Sequence, residues 1–195
     1  MTRHDRSLDA AYFETMFQGD DDPWNLESST YEAAKFDRSI EALDGRWYGC
    51  AFEVGCAGGS LTERLAPRVD DLLAVDISET ALARARRRCA RLAQVRFARM
   101  AFPEDRPQGT GFDLIVLSEV AYYWDDQDLD RAAAFVSRSL VSGGDLLLVH
   151  YTGETDYPQS GDAAVAFLAA ALADRVDVVR AERHDRYRLD LWRSR

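Results

Sequence analysis

The chain has 195 residues, of which 47% are hydrophobic and 30% charged, and its formal net charge is −10. That length is enough for one domain with a full hydrophobic core, and the negative field argues against a nucleic-acid partner. No apolar run approaches the ~18 residues of a membrane span, the first residues carry no apolar signal core, and Cys50, Cys56 and Cys89 lack ligand spacing. No metal, no membrane and no signal peptide are therefore expected, and a cytoplasmic setting is.

Helical stretches are predicted near 7–17 and near 30–43. Ser29 and Glu32 stand at the spacing of a reciprocal N-terminal cap for the second. The intervening "QGDDDPWNLE" reads as a turn-rich loop carrying Trp24. From there strands and helices alternate. "CAFEV" (50–54) is a short buried strand, and "SLTERLA" is a helix that stops at Pro67, with Ser60 and Glu63 again at capping spacing. "DLLAV" (71–75) is a strand, and "SETALARARRRCARL" (78–92) is a helix capped by Ser78. Its apolar positions Leu82, Ala85, Cys89 and Leu92 recur at helical spacing, so its arginines read as a solvated face. "VRFA" (95–98) and "FDLIVLS" (112–118) are strands. "DLDRAAAFVSRSLV" is a helix for which Gly143-Gly144 can supply a left-handed end. "DLLLVHY" (145–151) is a strand, "GDAAVAFLAAALA" a helix, and "VDVVRAER" with "YRLDLWRS" a terminal hairpin across His184-Asp185-Arg186.

This alternation predicts an α/β domain with a parallel sheet covered on both faces. Ligands in such sheets bind at the carboxyl ends of the strands, where "EVGCAGGS" follows the first one. A phosphate loop needs a lysine after its last glycine, but Ser60 and Leu61 follow Gly59. A dinucleotide loop wants glycine at its first, third and sixth positions; these hold Gly55, Ala57 and Ser60. What remains is Glu53, Gly55, Gly58 and Gly59: a carboxylate at a strand end, then glycines that let backbone close on a ligand. Glu53 suits a ligand with positive charge or an amino group. Asp76, ending the second strand, can hold both hydroxyls of a ribose, or can open the turn before Ser78. The first reading gives a nucleoside that carries positive charge.

"FEVGCAGGSLTERLA", "LLAVDIS" and "FDLIVLSEVAYYW" resemble, in order and spacing, the motifs of class I S-adenosylmethionine-dependent methyltransferases. The leading "DDPWNLESSTYEAAKFDRSI" and the later "HYTGETDYPQSGDAAVAFL" resemble the NodS-like (nodulation protein S) branch. The resemblance implies a Rossmann-like, seven-stranded, mostly parallel sheet whose last strand is antiparallel. It implies one domain over 1–195, with a helical lid segment at 1–45 and the core at 46–195. S-adenosylmethionine would be the cofactor and S-adenosylhomocysteine the product. Glu53, Gly55, Cys56, Ala57 and Gly58 would line the amino-acid end of the cofactor. Asp76 would hold the ribose, Ile77 would pack on the adenine, and Met100 and Ala101 would flank its edge. "RMAFPED" lacks the aspartate many relatives place there, so backbone amides would make that contact. Ser118, the last residue of the fourth strand, and Glu119 and Val120 after it would contact the cofactor, with Glu119 and Val120 facing the methyl group and the acceptor. Trp24 and Tyr31 would cover the cofactor, although Trp24 also reads as a core anchor for the leading helices.

Methyl transfer needs reactants held in line, aromatic faces near a sulfonium, and a base if the acceptor must lose a proton. Glu119 is the first candidate base and His150, ending the fifth strand, the second, where a structural histidine is the other reading. Tyr122, Tyr123 and Tyr151 are candidate substrate contacts, and Tyr122, Tyr123 and Trp124 read equally as apolar packing. The resemblance implies N-methylation of an amino sugar of the chitooligosaccharide type; a small-molecule substrate and a monomer or weak dimer are expected. Ala166 replaces a histidine usual in this branch after "GDAV", which leaves room for another acceptor. The alternatives are an O- or N-methyltransferase of another natural product and, in a different class, a non-catalytic protein that binds the cofactor.

Overall fold

The computed structural model describes residues 3–109 and 111–195. The chain divides into two compact units, Asp9–Ala101 and the residues up to Leu8 taken with Phe102–Arg195.

The first unit runs α1 (Ala10–Gly19), α2 (Thr30–Ala42), β1 (Tyr48–Val54), α3 (Ser60–Leu65), β2 (Val69–Asp76), α4 (Glu79–Arg88) and β3 (Val95–Arg99). Its strands lie in the order β3-β2-β1, all parallel. Parallel strands buried on both faces read as continuous apolar runs, and Ala51, Phe52, Val54, Leu72, Ala74 and Val75 are all buried. The register pairs Glu53 with Ala74 and Val54 with Val75, so Glu53 and Asp76 both sit at the carboxyl ends of their strands. Asp9, Ser29 and Ser78 cap α1, α2 and α4 by accepting main-chain N–H bonds. The cap expected from Ser60 is not formed. Ser60 is instead the first helical residue, and Gly59 is the N-cap at φ 85°. Only glycine takes that conformation without strain, and a Cβ on Gly59 would meet Ala85 at 3.1 Å. Pro67 does close α3, inside the single 3-10 turn Ala66–Arg68.

The second unit runs β4 (Phe112–Ser118), α5 (Asp126–Ser139), β5 (Leu140–Tyr151), α6 (Gly161–Ala171), β6 (Val176–Arg183) and β7 (Tyr187–Ser194). Its strands lie in the order β4-β5-β7-β6. β4 and β5 are parallel, and β7, the last strand, is antiparallel to both β5 and β6. The expected terminal hairpin is present. Gly143-Gly144 do not end α5, however. Leu140 already has extended backbone, and Gly143, at φ 75°, lies inside β5. There the β4–β5 register shifts between Phe112 and Leu114, so the glycine serves a bulge and not a helix end. Residues before Leu8 bond into this same unit. Leu8 N–H donates to the Tyr123 carbonyl at 3.0 Å, His4 N–H to Asp156 at 2.8 Å, and the Ser7 hydroxyl to Asp128 at 2.5 Å.

Candidate functional site

In the first unit the glycine turn is tied to the end of β2. Gly55 and Cys56 N–H both donate to the Val75 carbonyl, at 2.8 and 3.0 Å. Ala57 N–H donates to Asp76 Oδ2 and Ser78 N–H to Asp76 Oδ1, each at 2.9 Å. A phosphate-binding turn aims such N–H groups at the anion; here those of Gly55, Cys56 and Ala57 are spent inside the chain. The turn holds Ala57 at φ 47° and Gly55 at φ 72°. The Cys56 thiol is buried, and burial pushes its pKa well above the usual value, so the thiol stays protonated.

Glu53 is 1% exposed, and its Oε2 accepts the Thr62 hydroxyl at 2.7 Å. Burial pushes Glu53 up to about 7 and Asp76 up to about 6. Among the described residues neither carboxylate pairs with a basic side chain. Buried acid without counter-charge favours a ligand that brings positive charge or hydroxyl donors. The sign for stability follows from the raised pKa values. Between the ordinary 4.5 of Glu53 and about 7 the folded chain holds more proton than the unfolded one. The contribution of Glu53 to stability is therefore highest below that window and falls as pH rises through it. Thermal unfolding from pH 4.5 to 7.5 should show Glu53→Gln gaining stability relative to the parent as pH rises; parallel curves would contradict the raised pKa.

Ile77, Met100 and Ala101 are half-buried. Met100 N–H donates to the Asp76 carbonyl at 3.0 Å, which places it beside Asp76. Gly58 is buried, and Arg88 holds its carbonyl at 2.9 Å. Trp24, at φ 60°, is half-buried and meets Phe17 edge-on at 5.7 Å. Tyr31 is half-buried with the Lys35 ammonium 5.5 Å from its ring centre, and Lys35 pairs with Glu32 at 2.7 Å.

In the second unit, Ser118 ends β4 and Glu119 follows at φ 57°. That left-handed conformation in a non-glycine residue is strained and persists where surroundings enforce it. They do so here. Glu119 N–H donates to Val149, and Glu119 Oε2 accepts Tyr122 Oη at 2.6 Å and Tyr151 N–H at 2.8 Å. Val120 leads into a single 3-10 turn, Ala121–Tyr123. His150 is fully buried, and its Nε2 accepts the Ala121 N–H at 3.2 Å, so the ring anchors the turn that carries the tyrosines. Tyr122 stacks on Tyr157 at 5.4 Å, and Tyr123 meets both rings at 4.6 Å. Burial raises both Tyr122 and Tyr123 well above the usual phenol range, which keeps them neutral. Trp124 packs with Phe102 at 5.6 Å in the core. Among the described residues no cluster of His, Cys, Asp and Glu could hold a metal, and no helix is long and apolar enough to cross a membrane.

The model of the nodulation protein S (NodS) family matches residues 15–154, more than half of the chain. The chain belongs to the NodS family. Similar relatives include nodulation protein S of Rhizobium tropici, 33% identical over 129 residues, 65% of this chain and 54% of that protein. Nodulation protein S of Bradyrhizobium diazoefficiens is 36% identical over 129 residues, 63% of this chain and 57% of that one. The aligned part thus spans little over half the length of these curated relatives. The structure of N-methyltransferase NodS from Bradyrhizobium japonicum WM9, in complex with S-adenosylhomocysteine, aligns with a TM-score of 0.79. It covers 96% of this chain and 99% of that chain at 22% identity. That likeness shows the fold: Rossmann-like, seven strands, mostly parallel, with the last strand antiparallel.

Several contacts of this NodS-family chain escaped the sequence pattern. Thr62 on Glu53 and Tyr157 on the tyrosine pair are tertiary, with no spacing to announce them. The arginine face of α4 is not simply solvated. Arg84 donates to the carbonyls of Phe17, Asp20 and Asp21 at the end of α1. Glu14 in turn accepts the Ser78 and Thr80 hydroxyls and the Thr80 N–H at the start of α4, and those bonds hold it down at about 2. Arg84 and Arg88 stand four residues apart on one face of α4, a spacing that could have flagged them as a pair.

Proposed function

We propose that the chain is an S-adenosylmethionine-dependent methyltransferase that methylates an amino group on a small molecule, of the amino-sugar or chitooligosaccharide type. One observation carries the nucleoside part. Two buried carboxylates, without basic partners among the described residues, flank a turn whose Gly55, Cys56 and Ala57 N–H groups bond inward, so the turn suits a cationic nucleoside and not a phosphate. Asp76 would hold the ribose hydroxyls, each of its oxygens keeping capacity beyond the one main-chain bond it accepts. Glu53 and the Gly55–Gly58 backbone would hold the amino-acid end, and Ile77, Met100 and Ala101 would border the adenine. When bound, the cofactor supplies an electrophilic methyl group on a sulfonium that leaves as a neutral thioether.

Orientation provides most of the acceleration in such a displacement. Glu119 would accept a proton from the acceptor ammonium, so that the amine lone pair becomes available. Tyr122 Oη and Tyr151 N–H hold the Glu119 carboxylate in place for that step. His150, whose Nε2 lone pair is taken by Ala121 N–H, would position the turn and not act as the base. Tyr122, Tyr123 and Tyr151 would border the acceptor. The similarity to an N-methyltransferase NodS supports the choice of nitrogen.

Incubation with the cofactor and chitosan oligomers, read by mass spectrometry, tests the acceptor. A gain of one methyl group on the deacetylated sugar is the expected result. No gain there, with methylation of another amine or phenol in a parallel screen, would replace the acceptor. Binding of S-adenosylhomocysteine without any turnover would favour the non-catalytic reading.

A further inference from the structure

Arg88 is tied to two parts of the first unit. Its Nε donates to the Gly58 carbonyl at 2.9 Å, its Nη2 pairs with Glu27 at 2.5 Å, and its Nη1 reaches Glu63 at 3.4 Å. Glu27 itself stands over the glycine turn, because a Cβ on Gly58 would meet Glu27 Oε1 at 2.5 Å. The backbone around Glu27 is also fixed: the Glu27 and Ser28 N–H groups donate to the Asp22 carboxylate at 2.8 and 2.9 Å. Asp22 adjoins the Pro23–Asn25 turn, in which Trp24 and Asn25 hold φ of 60° and 56°. One guanidinium thus grips the cofactor turn with one N–H and the leading segment with another.

We propose that Arg88 is a positioning residue for cofactor binding: it sets the Gly58 peptide and seats residues 20–29 against the glycine turn. The inference rests on the nucleoside reading above. The planar fork of arginine serves a carbonyl and a carboxylate together, whereas a lysine ammonium is a single point charge on a flexible stem. Glu27 is 37% exposed on its side chain, and an exposed ion pair alone contributes little. Any effect on affinity must therefore come through the Gly58 peptide and the seated segment. Gly58 contributes by lacking the Cβ that would displace Glu27.

Calorimetric titration of S-adenosylhomocysteine into the full chain, with thermal midpoints measured alongside, provides the test. Arg88→Gln should weaken binding by about tenfold or more, the scale of one lost charge-assisted hydrogen bond. Arg88→Lys should recover only part of that loss. Glu27→Gln should weaken binding less, and the double variant should bind as Arg88→Gln does, because both lose the same coupling. A purely structural role would lower the midpoints and leave these affinities equal. Ligand should protect the parent, but not Arg88→Gln, from proteolysis within 20–29. Should Arg88→Gln fail to fold, Glu27→Gln and Gly58→Ala carry the same expectation of weaker binding. Parent affinity retained in the Arg88 variants, or in these two substitutes, would overturn the positioning role alone. A parent chain that binds no S-adenosylhomocysteine would overturn the nucleoside reading, and this inference with it.

Discussion

Asp76→Ala is expected to lose S-adenosylhomocysteine affinity by about 100-fold or more, the consequence of removing two hydrogen bonds to a charged acceptor at about 1.5–3 kcal/mol each. Asp76 ends β2, is 6% exposed, and receives one main-chain N–H on each oxygen, from Ala57 and from Ser78. Those bonds aim the carboxylate and tie the glycine turn to it. The effect on folding runs in two directions. Losing the acceptor leaves two N–H groups short of a partner, at about 1–3 kcal/mol each where water cannot reach them. Removing the group also removes a carboxylate whose burial pushes it up to about 6, which returns stability at neutral pH. Affinity should therefore fall much further than the thermal midpoint. Titration calorimetry and thermal unfolding of the same preparation separate the two, and a variant that unfolds less readily than the parent yet binds as tightly would remove Asp76 from the site.

Glu119→Gln should lower kcat by about 10²–10⁴-fold, the range for a positioned acid–base group, while the affinity for S-adenosylhomocysteine stays within about twofold of the parent. A glutamine oxygen can still accept Tyr122 Oη and Tyr151 N–H, the two bonds that Glu119 Oε2 receives, so the turn should keep its shape. What the amide cannot do is take a proton from an ammonium. Single-turnover rates with an amine acceptor read this loss directly. The strain in Glu119, at φ 57°, fits this role: a residue held in a costly conformation by Val149, Tyr122 and Tyr151 is fixed in place before any substrate arrives. Undiminished turnover in Glu119→Gln would mean that the acceptor arrives already neutral and that the carboxylate only orients it.

The features at the strand ends were not equally legible in the sequence. The glycine turn, Glu53 and Asp76 follow from local rules: apolar runs make buried strands, glycines mark the turn, and acidic residues close the strand ends. The terminal hairpin and the Ser29 and Ser78 caps follow from equally local chemistry. Tertiary packing decided the rest. Gly143-Gly144 have the composition of a helix end, but strand pairing claimed Leu140 onward and left Gly143 inside a bulged strand. Ser60 has cap spacing, but the turn before it needed a left-handed glycine, so Gly59 became the N-cap. The arginines of α4 carry no mark of their partners, because a run of charge reads the same whether it meets water or the carbonyls of Phe17, Asp20 and Gly58. His150 could not be sorted by type alone; the bond from Ala121 N–H to its Nε2, which is what favours a structural role, is tertiary and leaves no mark in the sequence.

Titration of the purified 195-residue chain with S-adenosylhomocysteine at pH 7.5 tests the central claim, that two buried carboxylates and an inward-bonded glycine turn hold a sulfur nucleoside. Saturable binding at one site in the roughly micromolar range usual for enzyme ligands is predicted, with no heat from NAD under the same conditions. No detectable binding of S-adenosylhomocysteine or S-adenosylmethionine by a folded chain would contradict it.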